Sequence, residues 1–416
     1  MPLLIRPIAT RFFLFMFILG MVSSIVTIPP YKDARMYDNA VWELLLDVYV
    51  ASAVIMLIGY VCSLPFSSVR AKVRSAVTFV LRALTYAFMY PLYIIDTFCF
   101  AKFGCTLNPT MLLLAGETNG SETSEFFQSY VTPDILWGPV GIIMLVPLVH
   151  MLCIVGRWWL RRSNDKRGSS HLLPTSNLSL LRLHTPMKIG IDLIIFAGLV
   201  YLTTLSWENK SLYAYTMSRE TIGQVEHSLA YRPHTEMYQP PMRLAFSIRS
   251  NELIGRQLTR LEELVDRVTV DSCTVDSSEI VLIIGESFNR RHAQLYGYDK
   301  KNMPNQVRLQ KQGLLTPMQD VVAPWNLTSF VFKHIMTTYC VGDTAEWCDY
   351  PLFCEVFRKA GYEVRFLTNQ FLPQAKEAVY DFSGGFFIND ETLSKAQFDV
   401  RNTELHVFDE GLLQDY

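Results

Sequence analysis

The chain has 416 residues and a formal net charge of -2, and half of its residues are hydrophobic. That length accommodates two or three ordinary domains. So even a charge says almost nothing about a partner, no Gly-rich phosphate loop of the P-loop or dinucleotide type is present, and nothing in the sequence points to nucleic-acid recognition.

The apolar residues are unevenly spread, and the chain divides at about residue 207. Before it lie five uncharged or nearly uncharged runs, at 12–29, 46–66, 76–95, 135–156 and 188–206. A hydrocarbon core takes about 20 residues of helix, so these predict a five-helix membrane domain over 1–206. The first run is kept as an anchor because no small-x-small cleavage site follows it. Arg6, Arg11, Arg70, Lys72, Arg74, Arg157, Arg161, Arg162, Lys166 and Arg167 fall on one side of an alternating path. By the positive-inside rule that side is cytoplasmic, and everything after 207 is exported. Arg82 and Asp192, costly in lipid, are expected to face the bundle or snorkel, either as an ion pair or as lipid-headgroup contacts.

Residues 207–278 read as a polar, irregular linker in which Pro240 and Pro241 deny a regular helix. It is closed by an amphipathic helix at 251–268 with Leu253, Leu258, Leu261 and Leu264 on one face. From Glu279 the pattern becomes strand, helix, strand. "IVLII" (280–284) has the β-branched content and Gly stop of a buried strand. "MPNQVRLQKQG" (303–313) reads as a helix, and "LFCEVFRKAGYEVRFLTNQ" (352–370) as a helix closed by Gly361 and then a strand. Such alternation predicts an α/β domain over 279–416 with a mostly parallel sheet. Ligands bind such sheets at the carboxyl ends of the strands, where Glu286 and Thr368-Asn369-Gln370 would stand. Cys273, Cys340, Cys348 and Cys354, in the exported half, are candidates for disulfides whose pairing the sequence leaves open.

Three stretches bear on chemistry. In "GES" (285–287) the serine lacks the G-x-S-x-G spacing of a nucleophile elbow, and Glu286 alone fits a cap or salt bridge as well as a metal ligand. In "APWNLTSFVFKHI" (323–335), Asn326 or Thr328 would cap a helix. A Thr328 inside the first turn would instead place its hydroxyl at the positive end of the helix dipole, where phosphate is favoured. A hydroxyl needs a base or a metal to become a nucleophile. "TSFVFK" also lacks the C/S-x-P/A-x-R pattern of the sulfatases' formylglycine site.

With "GETNGSETSEFF" (116–127), "VLIIGES", "LYGYDKKNMPN", "APWNLTS" and "LFCEVFRKAGYEVRFLTNQ" in this order, the chain resembles the membrane phosphoethanolamine transferases of the sulfatase and alkaline-phosphatase-like group. The resemblance implies Glu286 as a metal ligand and Thr328 as the nucleophile and a further ligand of zinc (Zn2+). Asn369, Gln370, Glu117 and Asn119 become substrate contacts. It implies transfer of phosphoethanolamine from phosphatidylethanolamine to lipid A or lipopolysaccharide core at the bacterial inner membrane, with a periplasmic catalytic domain and resistance to cationic peptides as the consequence. The disulfide that encloses the threonine in many relatives is missing, since Pro324 and His334 occupy those places. The remaining zinc ligands of the family, in H-x-x-G-x-H and D-H-G segments, would follow "VFDEGLLQDY" (407–416) and have no counterpart. The catalytic domain is therefore expected to be truncated, with a non-catalytic lipid- or partner-binding chain, or a related phosphoglycerol transferase or hydrolase, as the alternatives.

Overall fold

The computed structural model describes residues 2–28, 34–112, 132–166, 184–231, 233–265, 267–274, 278–285, 288–323, 328–369, 386–402, 404, 406 and 408–416. They are mostly helical and group into two compact units, Met1–Asn251 and Glu252–Tyr416.

Helices in the first unit follow the apolar runs. They are α1 (Arg11–Thr27), α2 (Ala34–Ser63), α3 (Arg70–Phe103), α4 (Pro139–Lys166) and α5 (Thr185–Met217). Four of them, α2 to α5, contain stretches long and apolar enough to cross a membrane, so the expected five-span domain is shown only as four such helices; α1 has 17 residues. It opens on Thr10, whose Oγ1 accepts from Phe13 N at 3.1 Å, a cap that contributes about 1 kcal/mol. α1 is also the helix most enclosed by its neighbours. Phe12, Phe15, Met16 and Leu19 pack with Leu44, Val48 and Tyr49 of α2, Tyr93 of α3 and Ile143 of α4. Gly20 sits so close to Leu44 that an added Cβ would clash, the small-residue contact by which helices approach in lipid.

Asp192 does not pair with Arg82. Its carboxylate accepts from the backbone of Leu3 (3.0 Å) and Leu4 (2.8 Å), tying the N-terminal turn to α5, while the aromatic neighbour of Arg82 is Tyr86, one turn on. The span between residues 207 and 265 also differs from the irregular linker expected. α5 runs on to Met217, α6 covers Ile222–Ala230 and α7 covers Pro240–Val265. Pro240 and Pro241 start α7 instead of preventing it. In the first turn the missing N–H would have had no partner, and the fixed φ suits a helix. The amphipathic pattern is present in the last part of α7, where Leu253 and Leu261 are buried.

In the second unit α8 (Pro304–Lys311) stops before Gly313, whose φ is +73°, and α10 (Phe353–Lys359) before Gly361, at φ +97°. Both helices and both glycine stops match the sequence reading. Helix α9 covers Thr328–Ile335, α11 Phe386–Asn389 and α12 Glu391–Gln397. Among the described residues the sheet is smaller than expected. Strands β1 (Arg365–Phe366) and β2 (Val400–Arg401) pair in parallel, Arg365 with Val400 and Phe366 with Arg401. The core under them joins Leu261 of α7, Phe332 and Met336 at α9, Trp347, Leu352, Phe387, Ile388, Leu393 and Phe398. Residues 280–284, expected as a buried strand, join no strand pairing among the described residues, and Ile283 is 86% exposed. Cys340, Cys348 and Cys354 of the exported half form no disulfide with one another.

Candidate functional site

β1 and β2 run in the same direction, so their carboxyl ends share one edge of the second unit. Beyond the last ladder pair a side chain takes over from the backbone. Asn402 Nδ2 donates to Thr368 O (2.8 Å) and Asn402 Oδ1 accepts from Thr368 N (3.0 Å). This amide clamp delivers the next residue, Asn369, to the edge. Asn369 Oδ1 accepts from His406 N (3.1 Å), and its Nδ2 donates to Asp409 Oδ1 (2.9 Å). His406 Nε2 in turn meets Asp415 Oδ2 at 2.7 Å. A half-buried imidazole oriented by a carboxylate, with a second carboxylate nearby, has the parts of a proton-transferring or phosphate-facing group.

Asn369 is thus placed where the sequence reading put it, while Gln370, Glu286, Glu117 and Asn119 lie outside the described residues. Thr328 is the first residue of α9, so its backbone stands at the positive end of that helix. Within α9 Lys333 is buried with its nitrogen 5.7 Å from the Trp347 ring, and His334 packs its ring edge-on to Tyr339. The "LYGYDKKNMPN" stretch closes on itself through Asn302, which accepts from Gln294 N (3.0 Å) and donates to His292 O (2.6 Å).

Zinc was expected from the resemblance. Among the described residues no three His, Cys, Asp or Glu side chains come together to hold a metal. His406 is committed to Asp415, and burial pushes the Cys348 thiol up to about 12 and the Cys354 thiol up to about 11, away from the thiolate a metal needs. The described donors do not fit a zinc site, and no chemical step is derived through one.

Two features escaped the sequence reading. The His406–Asp415 pair gave no signal because its partners are separated by an irregular segment with no periodicity. The other lies at the loop-facing ends of α1, α3 and α7 in the first unit. Asp96, fully buried at the end of an apolar run, binds Arg243 through both carboxylate oxygens, at 2.8 Å from Nε and 2.6 Å from Nη2. Arg243 Nη1 donates to the carbonyls of Met237 and Tyr238. One turn before Asp96, Tyr93 donates to Gln239 Oε1 (3.0 Å), and Gln239 Nε2 reaches Ser24 of α1 (3.0 Å). On the neighbouring side Asn209 of α5 bonds the backbone of Glu236 through both ends of its amide and donates to the buried Glu43. An acidic residue inside a membrane run and an arginine far along the chain are legible as partners only once the helices are packed.

Comparison with known proteins finds no matching family model, no similar curated protein and no solved structure of matching fold.

Proposed function

We propose that this is a membrane-anchored transferase that moves phosphoethanolamine from phosphatidylethanolamine to lipid A or lipopolysaccharide core on the outer side of the bacterial inner membrane. The observation that carries the reading is the position of Thr328. It opens helix α9, in a chain whose preceding half holds four helices apolar enough to span a bilayer. Both donor and acceptor are lipids, which accounts for tying the reacting domain to such helices.

In this reading Thr328 Oγ1 forms a bond to phosphorus and the bond from phosphorus to the glycerol oxygen breaks. Diacylglycerol leaves with the proton that the threonine gives up. An acceptor oxygen on lipid A or core sugar then forms its own bond to phosphorus, the bond to Thr328 Oγ1 breaks, and the proton that the acceptor gives up returns to Thr328. Helix α9 contributes its dipole to the phosphate charge, which is worth roughly 0.3–1 kcal/mol at an exposed helix end.

The test is the intact mass of the full chain after incubation with phosphatidylethanolamine, with and without added zinc. A phosphoethanolamine adduct that disappears in Thr328→Ala supports the transfer. Folded protein that forms no adduct under either condition overturns it in favour of a lipid-binding chain without turnover.

A further inference from the structure

A cavity of about 300 Å³ opens in the first unit, where the C-terminal end of α1, the segment after α3 and the segment leading into α7 meet. These are loop-facing ends on the same side of an alternating membrane path. The volume is at the small end for ligand pockets, enough for a polar head group and not for a whole lipid. Ile28, Leu107, Met237 and Phe246 supply apolar wall, and Glu236 and Arg243 supply charge.

The two charges are not equivalent. Arg243 is already neutralised, since both oxygens of Asp96 lie within 2.8 Å of its guanidinium, and a buried pair with this geometry presents little net field. Glu236 has no Lys or Arg partner among the described residues. One of its oxygens lies 3.3 Å from His234 Nε2, and the second has no partner among the described residues. The clamp from Asn209 on the Glu236 backbone holds this carboxylate in place. The cavity therefore presents a carboxylate beside apolar surface.

We infer that this cavity binds the primary ammonium of a membrane aminolipid, with Glu236 as counter-ion and the apolar wall taking the first carbons beyond the head group. Binding here is a station separate from the reaction at Thr328; it rests on the proposed transfer only for the expectation that the lipid is phosphatidylethanolamine.

The test uses the full chain carrying Thr328→Ala, so that turnover has no part in the readout. After delipidation the protein is offered equimolar phosphatidylethanolamine and phosphatidylglycerol, and retained lipid is counted by native mass spectrometry. Phosphatidylethanolamine is expected to be retained at least about fivefold over phosphatidylglycerol. Glu236→Gln, checked for an unchanged melting temperature, should bring the ratio to near one, and Glu236→Asp, which keeps the charge, should preserve most of it. Equal retention by the parent chain, or an unchanged ratio in Glu236→Gln, overturns the assignment. So does binding of free ethanolamine without any lipid preference, which would make the cavity a site for small amines. A lipid preference without an adduct on Thr328 in the unmodified chain would remove the transfer reaction and leave this site. An adduct with no lipid preference would do the reverse.

Discussion

Asp399 shows how one carboxylate organises the second unit. Its Oδ2 accepts from Val364 N at 2.8 Å, one residue before β1, and its Oδ1 accepts from Arg358 Nε and Nη2 at 3.0 and 2.7 Å. Arg358 also donates to the carbonyls of Lys395 and Ala396 near the end of α12, where a cation suits the helix dipole. The Val364 N–H first, and then Arg358, hold the Asp399 carboxyl below the usual carboxylate range. A group with a depressed folded pKa adds stability above its unfolded value of about 3.9 and loses it as pH falls through the folded value. Acidification below about pH 4 should therefore loosen this unit, and Asp399→Asn should remove the dependence at a cost of about 1 kcal/mol, small because the pair is partly exposed. Maleimide labelling of buried Cys348, resolved by mass from that of exposed Cys340, reads unfolding of this unit in the full chain. Cys348 should react faster in the variant at pH 6, and the difference should shrink towards pH 3.

At the level of elements, the segment 280–284 combines five β-branched or leucine side chains with a backbone that pairs with no strand among the described residues, the make-up of an edge that recruits other strands. Ile283→Lys should lower aggregation of the purified chain by light scattering without changing Cys348 protection, since this side chain touches solvent and not the core. Unchanged scattering would show that the segment does not drive association. The same segment marks the limit of what local pattern reveals. Helices α8 and α10 were legible because each ends on a glycine with positive φ, a backbone requirement written in one residue. The membrane helices were legible from length and hydropathy, which do not depend on partners. "IVLII" states a preference for burial but not what covers it, and Pro240-Pro241 reads as a breaker until the chain direction makes it a helix start. The candidate site divides in the same way. Asn369 was found through its place after a strand, while His406, Asp415 and the Asp96–Arg243 pair join distant parts of the chain and follow no period.

At the scale of the molecule, the aromatic and basic residues of the first unit support the orientation proposed for it. Exposed Trp137 stands just before α4, and exposed Trp158 and Trp159 stand near its other end beside Arg157 and Arg162. About 20 residues of helix separate the two groups, or about 30 Å at 1.5 Å per residue, the thickness of a hydrocarbon core. Tryptophan belts mark both interfaces, and arginine marks the cytoplasmic one. On the proposed reading the Trp158 end of α4 would be inside, together with the turn at 64–69 between α2 and α3, and the cavity beside Glu236 would face outward. An impermeant maleimide applied to intact spheroplasts should label Cys340, which is exposed, and should label a Ser68→Cys variant at position 68 only after the membrane is broken. The reverse pattern would invert the whole assignment, placing both the cavity and Thr328 in the cytoplasm, away from any acceptor on the outer surface, and the proposed transfer would fall with it.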